Sequence, residues 1–446
     1  MMALEHVYRG LWHATWPFIQ WYVKRKDWRR HVPLTATAER FGFSKRPAAW
    51  VSQHGAFVLW IHGASVGECL SALPIVDMAL SWASAPTQVV MTTTTAAARQ
   101  LLQQRLAQHP LQDRVTCVFA PLDCPQCVER FYDEWRPAAG LWIESELWPT
   151  LILEAGRRKI RIGVVNGRIS PQSVRLWRLP GLKSFTQHFM AQFSLVLCQD
   201  VANQTRFQSL GARQPQVATN LKFVLPFKTG DTSLVRSLYQ SLATRSAWMA
   251  VSTHEGEETI LANVHSALVD RLPGNSREEE QPALLTVIVP RHPERADGIV
   301  REIQKQFPSL RLARRSVEGL PTSSTDVFIV DSLGETASFF EAIPTVVIGG
   351  SFVPRGGHNP IEPLRAGCQV LVGPHMFNFT DILSHLQGYI GQSLVQVESV
   401  EKLTDQLVER LSQARGPSQE TSTAMQQLAT TTLTAYQAEL SQWLFR

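Results

Sequence analysis

Five short stretches of this chain hold the side chains best suited to chemistry. Each lies where a run of apolar residues gives way to polar ones. The first is Trp60-Ile-His-Gly-Ala-Ser-Val-Gly-Glu68. Gly63 and Gly67 permit a tight turn and a close ligand approach. Glu68 falls in the first turn of the following helix, where a carboxylate at a strand's carboxyl end can act as general base. Two other readings share the stretch. Gly63-Ala-Ser-Val-Gly67 matches G-x-S-x-G, the elbow of serine hydrolases, with Ser65 as nucleophile. Glu68 can also do no more than favour the helix dipole. The second stretch, Trp142-Ile-Glu-Ser-Glu-Leu-Trp-Pro149, carries Glu144 and Glu146. Two apart at a strand end, at most one of them is expected to face a ligand. The other is expected to cap the next helix.

The third and fourth stretches are Ser252-Thr-His-Glu-Gly-Glu-Glu258 and Val289-Pro-Arg-His-Pro-Glu-Arg295. Ser252 with Glu255 has the spacing of a capping box. Arg291 lies just past a buried strand, where a phosphate would sit. His254 and His292 suit either structural hydrogen bonding or ligand contact. The fifth stretch, Gly349 to Pro363, reads GGSFVPRGGHNPIEP. Its glycines are expected to bring backbone amides to a ligand, ahead of a helix starting near Pro360. Glu362 in that first turn would accept hydrogen bonds from sugar hydroxyls. Upstream, Asp331-Ser-Leu-Gly-Glu335 offers a further helix start. No G-K-[ST] follows the glycines, so this is no Walker loop. Cys124-Pro-Gln-Cys127 is a lone C-x-x-C, read as structural, with Asp123 capping a helix that starts at Pro125. No D-x-D triplet points to a metal–diphosphate site.

These motifs need strands that end at one edge, and the sequence supplies them in two series. Phe57–Ile61, Gln88–Thr92, Val115–Phe119, Gly140–Ile143, Ile160–Val165 and Leu195–Cys198 alternate with helical segments. After a proline- and glycine-bearing stretch, Trp248–Ser252, Leu284–Val289, Val327–Val330, Thr345–Ile348 and Val370–Val372 do the same. Alternation of this kind predicts parallel α/β sheets. The expected domains are 51–218 and 233–446, with a linker at 219–232 and a polar loop at 274–281. Residues 417–446 read as closing helices. A ligand cleft is expected between the halves, at the strands' carboxyl ends.

Residues 1–50 form a separate arm. It holds nine Lys and Arg against three Asp and Glu, although the whole 446-residue chain carries only +5. His6, Arg9, His13, Gln20 and Lys24 make one polar stripe on an otherwise apolar helix rich in Trp. Pro17 is expected to kink it. The basic cluster Lys24–Arg30 follows. Trp beside Lys and Arg suits an interfacial helix on anionic lipid. The alternative is a helix packed on the protein's own core. Basicity confined to an arm argues against a nucleic-acid groove. Six cysteines in this length exclude a disulfide scaffold, and no apolar run is long enough for a clear membrane span.

In this order, the five motifs resemble those of the 3-deoxy-D-manno-octulosonic acid (Kdo) transferases. Thr92–Thr95, Asn166–Ser170, Asn220–Phe223, Gly373-Pro-His375 and Asn378-Phe379 add to the likeness. The resemblance implies a GT-B fold of two Rossmann-like domains facing across a cleft. It implies transfer of Kdo from CMP-Kdo to a lipid A precursor, with inversion; the leaving CMP carries a single phosphate that Arg291, Lys222 and helix N-termini could stabilise without a metal, and no cofactor is expected. The location implied is the cytoplasmic face of the inner membrane. Carried over by position, the general base falls on Glu68, and transition-state support on Glu144 and Lys222. The CMP-binding segments fall on Pro290 and Arg291, on Leu333, Gly334 and Glu335, and on Asn359, Pro360, Ile361 and Glu362. Around Lys222, Thr219 and Val224 replace the family's usual glycine and aspartate. Arg175 to Phe189 is a second aromatic and basic patch suited to the lipid.

Overall fold

A computed structural model describes residues 2–51, 56–82, 87–225, 229–242, 245–272, 284–413 and 416–445. The loop expected at 274–281 lies outside them. The chain divides into two compact units, residues 1–225 with 430–446, and residues 226–429.

The first unit is built on a parallel seven-stranded sheet. Its strands are β1 (Phe57–His62), β2 (Thr87–Thr93), β3 (Val115–Phe119), β4 (Ala139–Ile143), β5 (Arg161–Gly167), β6 (Phe193–Cys198) and β7 (Gln216–Val217). Their order is β3-β2-β1-β4-β5-β6-β7. Strands buried on both faces read as unbroken apolar runs, as FVLWIH and AGLWI do. One face packs aromatics, with Trp60, Phe131, Tyr132, Trp135, Trp142 and Phe193 in a single cluster. The other face is aliphatic, with Leu59, Ile61, Ile75, Val89 and Leu141. Trp60 pairs with Gly140 and His62 with Trp142. A Cβ on Gly140 would meet Trp142 at 3.0 Å and Trp60 at 3.2 Å, so the missing side chain makes room for two indoles. That register levels the carboxyl ends of β1 and β4, which carry the Glu68 and Glu144 loops.

The second unit repeats the plan. Its strands are β8 (Ser246–Thr253), β9 (Leu284–Pro290), β10 (Leu312–Arg314), β11 (Val327–Ile329), β12 (Thr345–Ile348), β13 (Gln369–Val372) and β14 (Leu394–Gln396). The order is β10-β11-β9-β8-β12-β13-β14, all parallel. Leaving out the short edge strand β10, each sheet holds the doubly wound order of a dinucleotide-binding fold. Sequence periodicity missed β7, β10 and β14, which have two or three residues each.

Both chain ends pack differently from the sequence reading. The last helix, Gln419–Phe445, starts in the second unit and ends in the first. Tyr436, Leu440 and Leu444, four apart on one helix face, join the aliphatic core of the first unit. Residues 430–446 therefore leave the expected 233–446 domain. The unit boundary falls at Leu225/Pro226. Leu221 and Phe223, inside the expected linker, are fully buried.

The arm is an unbroken helix, Met2–Arg29, through Pro17. One side is docked on the first unit. Trp12, Trp16 and Val23 cover Phe41, Cys124 and Cys127. Tyr8 Oη donates to Asp123 at 2.7 Å, and Arg40 holds the buried Asp27 at 2.8 Å. Val7, Leu11, Phe18, Trp21, Tyr22 and Trp28 on the other side are exposed. The expected single polar stripe is thus not the division the fold uses. Among the described residues, no helix is long and apolar enough to cross a membrane.

Asp123 also departs from expectation. The helix does start at Pro125, but Cys124 is its cap residue and makes no side-chain cap bond. The Asp123 carboxylate instead takes the amides of Thr150 and Leu151, at 3.0 and 2.8 Å. It therefore caps the helix Pro149–Arg157, so neither Glu144 nor Glu146 does. Burial pushes its carboxyl up to about 6.

Candidate active site

In the first unit, three carboxylates meet at the carboxyl ends of β1 and β4. Ser65 caps the helix Val66–Ser81, accepting the Glu68 amide at 3.3 Å. The Glu68 carboxylate answers by accepting from Ala64 N at 2.8 Å and Ser65 Oγ at 2.8 Å. This reciprocal box fixes the carboxylate at the mouth of the turn and leaves each oxygen a lone pair for a substrate proton. Ser65 has φ −102° and its hydroxyl is spent on the cap, so the nucleophile-elbow reading fails.

Glu144 follows β4 with φ +63°, a left-handed conformation uncommon for a non-glycine residue. Such strain persists where the surroundings impose it, and it gathers at functional sites. Here the Glu144 amide is tied to Val165 O at 3.1 Å. Burial raises its carboxyl, the Lys222 charge offsets this, and Glu68 raises it further. Arg168 and Gln199 also lower it. Glu146 is raised by burial too, then lowered by Trp148 Nε1, which donates to it at 2.9 Å. Glu68 and Glu144 both act on it by repulsion. Both carboxyls therefore lie within electrostatic reach of Glu68.

Lys222 lies in a 3-10 turn, Leu221–Val224, that Asn220 caps through the Lys222 amide. Asn166 Oδ1 takes the Leu221 amide at 3.0 Å and anchors the turn to β5. His62 was not singled out from sequence. It is fully buried, its Nδ1 is 2.9 Å from Thr92 Oγ1, and its Nε2 is 4.0 Å from Glu146. Burial lowers it to about 4, so it stays neutral at pH 7.

In the second unit, the strand ends gather cations. Arg291 follows β9 with its amide on Thr253 O at 3.0 Å. Its side chain is exposed, as is that of Arg355. Pro290, Pro360 and Ile361 are buried, so they shape the backbone and do not present side chains. Asn359 Oδ1 accepts the Ile361 amide at 3.1 Å. Glu362 sits in the first turn of the helix Ile361–Arg365, exposed, with no side-chain partner among the described residues. Leu333 is 84% exposed and Gly334 has φ +84°. Glu335 pairs with Arg315 at 2.6 Å, which lowers its carboxyl, and it also accepts from Ser332. Gly334, Glu335 and Arg315 line a cavity of about 510 Å³ with Gly230 and Asp231.

The glycine-rich loop does not offer all its amides to a ligand, as had been expected. The buried Glu257 carboxylate takes those of Gly350, Ser351 and Phe352, at 2.6, 3.1 and 2.9 Å. It also takes the His254 amide at 2.9 Å. The helix Glu257–Arg271 begins after Gly256, so Ser252 and Glu255 form no capping box. Glu257 lies in the stretch Ser252–Glu258, but only the fold shows four amides converging on it.

Comparisons with known proteins agree with one another. Residues 35–225 match the family described as 3-deoxy-D-manno-octulosonic-acid transferase (kdotransferase). The chain is 33% identical over 401 residues to the probable mitochondrial 3-deoxy-D-manno-octulosonic acid transferase of Arabidopsis thaliana, covering 88% of this chain and 85% of that protein. It is 32% identical over 381 residues to the 3-deoxy-D-manno-octulosonic acid transferase of Haemophilus influenzae, covering 84% and 82%. Among solved structures, Anabaena HepE in complex with UDP aligns with a TM-score of 0.55 at 14% identity, over 87% of this chain and 99% of HepE. At that identity the likeness concerns the fold alone.

Proposed function

The chain belongs to the 3-deoxy-D-manno-octulosonic acid (Kdo) transferase family, and on that premise we propose that it moves Kdo from CMP-Kdo to a hydroxyl of a lipid A precursor. It is a glycosyltransferase with two Rossmann-like α/β units, the GT-B class of fold. The observation that carries the mechanism is the meeting of Glu68, Glu144 and Lys222 at one end of one sheet.

Glu68 takes the proton of the acceptor hydroxyl as that oxygen bonds to the anomeric carbon. The bond from that carbon to the phosphate oxygen breaks in the same displacement. CMP leaves with the electron pair, and the configuration inverts. Glu144, held beside Lys222 and Arg168, steadies their positive charge near the reacting groups. Arg291 meets the phosphate of CMP, and Asn359 and Glu362 meet its sugar hydroxyls. The chemistry needs no metal, since guanidinium and ammonium groups answer the single phosphate.

The exposed aromatic face of the arm helix, with Lys24–Arg30 beside it, rests on the anionic inner face of the membrane that holds the acceptor. In the stretch Arg175 to Phe189, Phe185 and Phe189 are buried in the core with Trp177 packed against them, so the expected aromatic patch is reduced to the exposed Leu176 and Leu179 with the nearby basic residues as a second lipid contact. The test is mass spectrometry of a lipid A precursor incubated with the protein and fresh CMP-Kdo in EDTA. Mass increments of whole Kdo units are expected. Product only after magnesium is added would overturn the metal-free mechanism. No product under either condition would overturn the function.

A further inference from the structure

The second unit contains a histidine pair that the mechanism above leaves unused. His254 Nε2 and His358 Nε2 are 2.8 Å apart. The ring planes differ by 7° and the centroids are 5.0 Å apart. The nitrogens are closer than the ~3.5 Å at which stacked atoms touch. The rings therefore lie edge to edge in one plane, joined by an N–H···N hydrogen bond. One imidazole must donate and the other accept, so one proton links the two. Burial, then the charges of His254, Arg291 and His292, hold His358 down to about 4, so the pair is neutral near pH 7.

The fold is shaped around this pair. Gly350 has φ +65°, and a Cβ there would meet His358 Cδ2 at 3.1 Å and His254 Cδ2 at 3.3 Å. Only glycine suits both the backbone and the space. Around the pair stand His292, with its ring centroid 6.3 Å from that of His254, and the Arg291 and Arg355 guanidiniums. Neither guanidinium has a side-chain partner among the described residues. The nearby acids face elsewhere. Glu257 is engaged by backbone amides, and Glu258 by Arg295 at 2.8 Å and Thr253 at 2.9 Å. Glu294, 3.5 Å from His292, is mostly exposed. The like charges of Arg291 and Arg355, without a paired acid among the described residues, favour the arrival of an anion.

We propose that the His254–His358 pair, through its one outward N–H, holds the carboxylate of the acid sugar in the donor together with His292 and Arg355. The inference rests on the proposed function. A nucleoside monophosphate ester of an acid sugar carries two anions, a phosphodiester and a carboxylate. Arg291 is taken up by the first, and the imidazole pair with Arg355 serves the second. In the neutral pair, the imidazole whose Nε2 accepts the shared proton carries its own on Nδ1 and can donate it to the carboxylate, while the other ring holds it in place.

The test compares wild type, His358→Gln and Arg355→Gln for CMP affinity by calorimetry and for donor KM in the transfer assay. Arg355 is exposed, so its variant folds whether or not the histidine staple matters. The expected result is a donor KM at least tenfold higher in both variants, with CMP affinity within twofold of wild type. CMP affinity falling in step with KM would assign the site to the phosphate and overturn the proposal. So would an unchanged KM in both variants. Absence of wild-type turnover would instead overturn the function itself, a result the CMP titration keeps separate.

Discussion

The two units share a sheet order and differ in charge at equivalent strand ends. The first strand in chain order of the first sheet, β1, leads to Glu68, and its equivalent in the second, β8, leads to His254. Next to them, β4 leads to Glu144 and Glu146, while β12 leads to the loop bearing Arg355 and His358. One end is acidic and suited to removing a proton. The other sets Arg291 and Arg355 beside a neutral histidine pair and is suited to holding an anion. A common scaffold sets where a loop starts, and the loop residues set what it does. Each end also has its own tether, a capping box around Glu68 and the buried Glu257 under the glycine loop.

The sharpest way to break the comparison is to remove charge from the acidic end. Lys222→Met is expected to lower kcat by about 10²-fold, on the scale of losing one preorganised electrostatic contact. An unchanged kcat in steady-state transfer would detach Lys222 from the chemistry. Next comes the tether of the cationic end. Glu257→Gln replaces a carboxylate that serves four amides, and bonds to charged groups are each worth ~1.5–3 kcal/mol. Denaturant unfolding should show a loss of about 3 kcal/mol, and a loss below 1 would mean the loop holds itself.

A pH experiment separates the two ends by their histidines. The His62 imidazole is lowered from 6.5 to about 4. The unfolded chain therefore binds more protons in that window, and stability is lost as pH falls from 6.5 through 4. At ~1.36 kcal/mol per unit, the loss is about 3 kcal/mol. Urea unfolding of His62→Asn should fall less steeply with acid than wild type, and parallel curves would contradict this. The smallest effect is Ser65→Ala, which removes a cap worth ~1 kcal/mol. Its midpoint should drop by a few degrees while transfer continues at a reduced rate. Complete loss of transfer would restore a chemical role to that hydroxyl.

Much of this comparison was legible in the sequence. Glu68, Glu144 and Arg291 each follow an apolar run whose length and content mark a strand, so their place at a sheet end could be read directly. Glu362 was legible through the proline-marked helix start. What was hidden depends on distance along the chain. His254 and His358 are 104 residues apart, and no local pattern ties them. Asp123 caps a helix through Thr150, 27 residues on, where local rules assigned it to the helix that starts at Pro125. The arm was ambiguous because it carries aromatics on both sides, and only packing decides which side Trp12 and Trp16 take. Tyr436 to Leu444 gave a clear helical stripe, but a stripe does not name its partner.

The most direct test of the division between the two ends is to titrate CMP into Glu68→Gln and wild type while measuring Kdo transfer by both. The account predicts transfer reduced by about 10³-fold, within the range for a lost general base, with CMP affinity unchanged within twofold. Transfer near the wild-type rate, or CMP affinity lost together with transfer, would contradict it.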